Sequence, residues 1–248
     1  MDNDKLLRIE KREQRELKRL YKENKRGTYP GYFIILIVIL IFGHAIDEIC
    51  SNVNNDVQSS VVNEFFKAVI ESNGYPAALS QYSIITLAFS LFVLVAPFYR
   101  SLSDILGRKT FLVLNVIGMF AGLGLTFWSP NLIVYCIGLA LINFFILHDM
   151  QVVYIFEVAP KKSRATFYGF TKCIGTLSVL IIPLCRNYFM GGDTTKWRLV
   201  YLVPMIIAAF VALLLFIFAR ETKPFLDERI AYLEKPYELR VKEKEGKR

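Results

Sequence analysis

The sequence predicts an all-α integral membrane protein of six transmembrane helices, with both termini cytoplasmic. Three observations lead there. Of the 248 residues, 54% are hydrophobic and gathered into long blocks, and a bilayer crossing needs roughly 20 apolar residues in a helix. The blocks do not alternate apolar with polar residues, which excludes barrel strands of about 10 residues. The Lys and Arg residues behind the net charge of +8 lie almost entirely between or beyond the blocks.

Residues 1–31 read as a charged tail. From Asp4 to Arg26, Glu and Lys/Arg recur at spacings that support a helix, with Leu6, Leu17 and Leu20 as sparse apolar points. Its expected role is a solvated cytoplasmic tail or a contact with anionic lipid. The bundle occupies 32–219. Span 1 is expected over Tyr32–Cys50, followed by a polar stretch to Pro76 holding a short amphipathic piece, Val61–Ile70. Span 2 follows over Ala77–Tyr99, then a charged loop, then span 3 over Thr110–Trp128 with its turn at Ser129–Pro130. Span 4 is expected as one long helix over Leu132–Phe156, span 5 over Ala165–Cys185 and span 6 over Leu199–Ala219. The tail 220–248 is charged and predicted to be helical near Phe225–Leu233.

Charge sets the orientation. The N-terminal tail carries ten Lys and Arg, the loops after spans 2 and 4 three each, and the C-terminal tail nine. The opposite side carries four (Lys67, Arg186, Lys196 and Arg198), and Lys172 falls inside span 5. The basic excess therefore reads as topology rather than nucleic-acid binding, and neither a phosphate-cradling loop nor an aromatic base platform is present. The four cysteines form no CxxC and read as free packing thiols. No cleavable signal is expected, since charged residues precede span 1, which would serve as its own insertion signal.

Two loops carry a reading of their own. After span 2 comes Ser101-Leu102-Ser103-Asp104-Ile105-Leu106-Gly107-Arg108-Lys109. Gly107 permits a tight turn, Asp104 suits a helix N-terminus or a cation, and Arg108 suits a carboxylate. After span 4 comes Tyr154-Ile155-Phe156-Glu157-Val158-Ala159-Pro160-Lys161-Lys162-Ser163-Arg164. The first loop resembles the signature loop of the major facilitator superfamily, with Arg100 standing where the family has Gly. The second resembles the corresponding loop of the sugar-porter branch and its metabolite-transporting relatives. Glu221-Thr222-Lys223-Pro224-Phe225-Leu226 is a weaker echo of that branch's segment after span 6.

The resemblance implies the N-terminal six-helix half of a transporter, with Asp104, Gly107, Arg108, Lys109, Glu157 and Arg164 forming a cytoplasmic gating network. It also implies a second six-helix half, in the same or another chain, so that this chain would be a truncated or split product. One departure concerns span 4, where Tyr135–Leu141 contains no Arg. That residue is frequent in the family, and its absence leaves proton coupling through it, and a sugar substrate, without support.

Ionisable residues inside spans are functional candidates, because burying them in lipid is costly. His44 and Asp47 share a face of span 1, while Glu48 is expected to reach the outer headgroups. Span 4 carries Asn143, His148, Asp149 and Gln151. Asp149 and Lys172 each lie eight residues from the same loop, roughly 12 Å up, so an Asp149–Lys172 pair is expected between adjacent antiparallel helices. It would serve either as a structural ion pair, as a site for a charged solute or as a proton relay.

The expected function is transport of a small polar solute or organic-ion metabolite across the cell membrane by alternating access, as in a symporter. Its partners would be the solute, the bilayer and the second half, with no nucleic acid. No enzyme activity, cofactor or metal site is expected. The alternative is a non-transporting membrane scaffold or receptor-like protein.

Overall fold

The computed structural model describes residues 3–25, 31–146 and 148–236, with all their side chains except those of 3–6, 148 and 149. Among these residues every regular element is helical. Helix α1 covers Asn3–Lys25, α2 Tyr32–Phe65, α3 Lys67–Asn73 and α4 Tyr75–Ser90. A 3-10 segment, Leu91–Val95, joins α4 to α5 (Ala96–Ser101) and α6 (Ser103–Leu106). Then come α7 (Arg108–Phe127), α8 (Leu132–Phe144), α9 (His148–Val158), α10 (Arg164–Leu177) and α11 (Ile181–Met190). A 3-10 stretch, Thr194–Tyr201, leads into α12 (Leu202–Phe218), and α13 (Lys223–Glu234) covers the helix expected after the last span.

Among the described residues, five stretches are long and apolar enough to cross a bilayer: Tyr32–Phe65, Tyr75–Leu106, Arg108–Phe127, Arg164–Met190 and Thr194–Phe218. The expected fourth span differs from its prediction. It is built as two helices, α8 and α9, rather than as one from Leu132 to Phe156. Alone, the 13 residues of α8 reach only about 20 Å of a core roughly 30 Å thick. Phe145 leaves the helix at φ −92° and ψ 11°, and its ring fills the notch over Gly118. A Cβ on Gly118 would stand 2.2 Å from Phe145 Cγ.

Span 1 also departs from expectation. The polar stretch after Cys50 is not a loop, because α2 continues without interruption to Phe65, 34 residues and about 51 Å in all. Val53, Val57 and Val61 recur every four residues and are fully buried, so one face of the extension belongs to the core. Ser51 and Asn52 fold their side chains back onto the carbonyls of Asp47 and Glu48, which keeps their polar atoms paired along the helix.

The far end of α2 is clamped. Glu64 accepts from Trp197 Nε1 at 2.6 Å and from both terminal nitrogens of Arg198, at 2.9 and 2.7 Å. Arg198 also donates to the Ser129 carbonyl at 3.0 and 3.1 Å and lies over the Trp197 ring. One guanidinium thus ties span 1, the turn after span 3 and the start of span 6.

Spans 3 and 4 cross on glycines. A Cβ on Gly138 would stand 2.9 Å from the Gly122 carbonyl, and one on Gly122 would stand 2.9 Å from the Gly138 carbonyl. Backbone cannot yield as a side chain does, so the crossing depends on small residues. Gly138→Leu is expected to cost about 3 kcal/mol, the upper end of overpacking, read as a fall in melting temperature in detergent. Gly169→Ala, where a Cβ meets open space within α10, is the control that should not lower it.

The N-terminal helix is not a free tail. Leu17 and Leu20 pack against Leu226, Ile230 and Leu233 of α13. Around this small core Arg229 meets Glu16 at 2.9 Å, Asn24 donates to Asp227 at 3.1 Å and Tyr21 donates to Glu234.

Candidate functional site

Spans 1 and 5 run side by side in the same direction. Phe33 meets Phe167, His44 meets Gly175, Ser178 Oγ donates to the Ala45 carbonyl, and Asp56 meets Arg186. The predicted ionisable residues of span 1 lie in this seam. His44 and Asp47 are buried, with His44 Nδ1 3.9 Å from Asp47 Oδ2 and His44 Nε2 3.3 Å from Glu48 Oε1. Glu48 does not reach for the outer headgroups. It turns into the seam, where Lys172 Nζ approaches it to 3.4 Å. Gly175 makes room, since a Cβ there would stand 2.3 Å from the His44 ring. The expected Asp149–Lys172 pair lies outside the described residues, as do the side chains of His148 and Asp149.

Further along the same face of α2 the side chains become uncharged. Ser51, Asn54, Asn55 and Gln58 follow His44, Asp47 and Glu48 at steps of three and four. With Tyr82, Thr86 and Asn143 they line a cavity of about 330 Å³ between spans 1, 2 and 4, whose described lining carries no formal charge. Asn54 organises its wall. Its Oδ1 accepts from Tyr82 at 2.9 Å and from Tyr135, whose hydroxyl lies 3.1 Å from that of Tyr201. These bonds use the amide oxygen and fix the side chain's orientation. Asn143 is the predicted span 4 residue that lies here.

At the opposite end of the bundle the two signature loops meet. Arg108 pairs with Asp104, donates to Ser103 Oγ at 2.9 Å and reaches Glu157 at 3.2 Å. Glu157 also accepts from the Thr222 hydroxyl. Arg164, expected in this cluster, instead donates to the Ala159 carbonyl of its own turn at 3.1 Å. Glu221 fills a role that the sequence did not assign. Gly107, at φ +100°, has no side chain to cap α7, and the Glu221 carboxylate accepts the Lys109 N–H at 3.0 Å in its stead. Burial pushes the Glu221 carboxyl above the usual carboxylate range, opposed by its backbone N–H donors.

The family model described as Major Facilitator Superfamily matches residues 29–240. The chain belongs to the major facilitator superfamily. It is similar to Sugar transport protein 6 of Arabidopsis thaliana, 28% identical over 222 residues, or 84% of this chain and 42% of that protein. The chain thus spans less than half the length of that relative. In this facilitator chain the match runs through both signature loops and all five long apolar stretches, and it is a multi-pass membrane protein. The sequence missed Glu221 and Thr222 as partners of the loops, although it did note their segment as an echo. It missed Asn54, Asn55 and Gln58 because they stand past the expected end of span 1. Their continuation of the His44 face was the available signal.

Proposed function

We propose that the chain is the N-terminal bundle of a secondary transporter that moves a small, polar, uncharged solute by alternating access. The observation that carries this reading is the single stripe on α2, where an ionisable cluster at His44, Asp47, Glu48 and Lys172 continues into an uncharged cavity. The uncharged amides and hydroxyls would bind the solute, and His44, Asp47, Asn143 and Lys172 would line its pathway and that of a coupled ion, as in a symporter. Asp104, Arg108 and Glu157 would form the cytoplasmic gate, placing both termini on the cytoplasmic side of a cell membrane. The Arabidopsis relative, a sugar transport protein by name, agrees with an uncharged polar solute.

Coverage supports a second bundle as partner. The most apolar windows of Tyr75–Leu106 and Arg164–Met190 are only 11% and 17% buried, against 56% and 61% for Tyr32–Phe65 and Arg108–Phe127. Spans 2 and 5 therefore offer the surfaces that a second half would cover.

The test is a thermal-stabilisation screen of the purified chain against neutral polyols and sugars, amino acids, and organic anions and cations. A neutral polar compound is expected to raise the melting temperature, and Asn54→Leu to reduce its affinity about tenfold, since leaving polar groups of the ligand unpaired costs roughly 1–3 kcal/mol. Stabilisation confined to charged compounds would overturn the uncharged-solute reading. No stabilisation by any class, and no uptake when the chain is reconstituted with a second half, would favour a non-transporting scaffold.

A further inference from the structure

Helix α1 has two faces, and the contact with α13 uses one of them. Ile9, Glu13, Glu16, Leu17, Leu20 and Glu23 are partly or fully covered, whereas all eight Lys and Arg side chains between Arg8 and Lys25 are exposed. Those cations recur every three or four residues, at 8, 11, 12, 15, 18, 19, 22 and 25, which places them on one side of the helix. Most of the acidic residues of that stretch lie on the covered side. The helix is thus segregated by charge, with Leu17, Leu20 and most of its acids toward the protein and its cations away from it.

Its position ties that basic face to the bilayer. Lys25 is separated from the start of span 1 at Tyr32 by six residues. The last turn of α1 also touches the end of span 6. Glu221 N–H donates to Glu23 at 3.4 Å, three residues past Phe218, and Glu23 and Asn24 share a cavity with Tyr32, Tyr154 and Arg220. The C-terminal half of α1 therefore sits at the depth where two spans leave the apolar core, which is headgroup depth. Basic side chains within a Debye length of an anionic leaflet are attracted to it.

We propose that the exposed basic face of α1 docks on the anionic lipid headgroups of the leaflet at this end of the bundle. The leucine face would hold α13 while the basic face grips the membrane, so that α1 fastens the segment after span 6 to the bilayer surface. Lys18, Arg19, Lys22 and Lys25, nearest the spans, carry most of the attraction. The inference requires this end of the bundle to face an anionic leaflet, and it holds whichever solute is carried.

Amide hydrogen exchange tests it on the full chain in lipid nanodiscs, either all phosphatidylcholine or with about 30% phosphatidylserine. Exchange across α1 is expected to slow about tenfold in the anionic discs and to return to the neutral-disc rate at 0.5 M salt, because surface attraction is screened within a few ångströms there. Lys18→Glu/Arg19→Glu/Lys22→Glu is expected to abolish the difference while leaving α13 exchange in neutral discs unchanged. If that variant fails to fold, the salt and lipid arms on the native chain decide alone. Equal exchange in the two lipids, or lipid-dependent protection that survives high salt, overturns the proposal. Protection by soluble inorganic polyphosphate in neutral discs, equal to that given by anionic lipid, also overturns it, because the partner would then be a soluble anion.

Discussion

Lys172→Met is expected to destabilise the bundle by about 2–3 kcal/mol, and adding Glu48→Gln to recover most of that loss. The figure is set below the 3–5 kcal/mol typical of breaking a fully buried pair, because the Lys172 side chain is 36% exposed. The argument turns on what each change leaves behind. Removing the ammonium leaves the partly buried Glu48 carboxylate beside Asp47, with His44 between them. Removing both leaves two neutral side chains of similar volume. Recovery should be incomplete, because Asp47 and His44 remain. Melting curves in detergent for the two singles and the double give the coupling energy. A double variant no more stable than Lys172→Met would show that the pair is not an energetic unit.

The second large effect is expected at Gly107. Ala at φ +100° and ψ 149°, a backbone region essentially confined to Gly, carries a penalty of about 2 kcal/mol. Its Cβ would also stand 2.3 Å from Glu221 Oε2, driving the carboxylate off the N-terminus of α7 and forfeiting a cap of about 1 kcal/mol. Gly107→Ala should therefore cost about 2–3 kcal/mol, more than Glu221→Ala. The two should combine to less than their sum, because deleting the carboxylate removes the collision. Glu221 also predicts a pH dependence. Its carboxyl is raised in the folded state, so the folded state binds the proton more tightly than the unfolded chain does. Its contribution is most favourable below the unfolded-state value and declines as pH rises through the folded-state value. Glu221→Gln should flatten that part of the stability profile.

The apolar blocks made most of the bundle legible, and the two charged loops made its family legible, because both signals are local. What escaped was non-local. Depth along the helices points Lys172 toward span 4, but says nothing of Glu48, which comes from span 1, running parallel to span 5. Helix adjacency of that kind leaves no periodic trace. Ser51, Asn54 and Gln58 fall in the polar stretch past the expected end of span 1, because polar side chains usually mark such an end. Here they line an open cavity between spans 1, 2 and 4, while Val53, Val57 and Val61 face the core. The break between α8 and α9 was hidden because Phe145 is as apolar as its neighbours and leaves the helix to fill a notch on another span. The docking of α1 rests on Leu17 and Leu20, two leucines in a charged helix, and only the sequence of α13 gives them a partner.

The length of α2 has a mechanical consequence. Glu64 lies twenty residues beyond His44, about 30 Å along an unbroken rod. A tilt of 10° pivoting at the His44 seam would sweep Glu64 through about 5 Å. Its bonds to Trp197 and Arg198, at 2.6–2.9 Å, would break under such a sweep unless the start of span 6 and the Ser129 turn moved with it. The rod is thus held at its middle and near its far end, so any tilt of α2 has to carry the start of span 6 and the Ser129 turn with it.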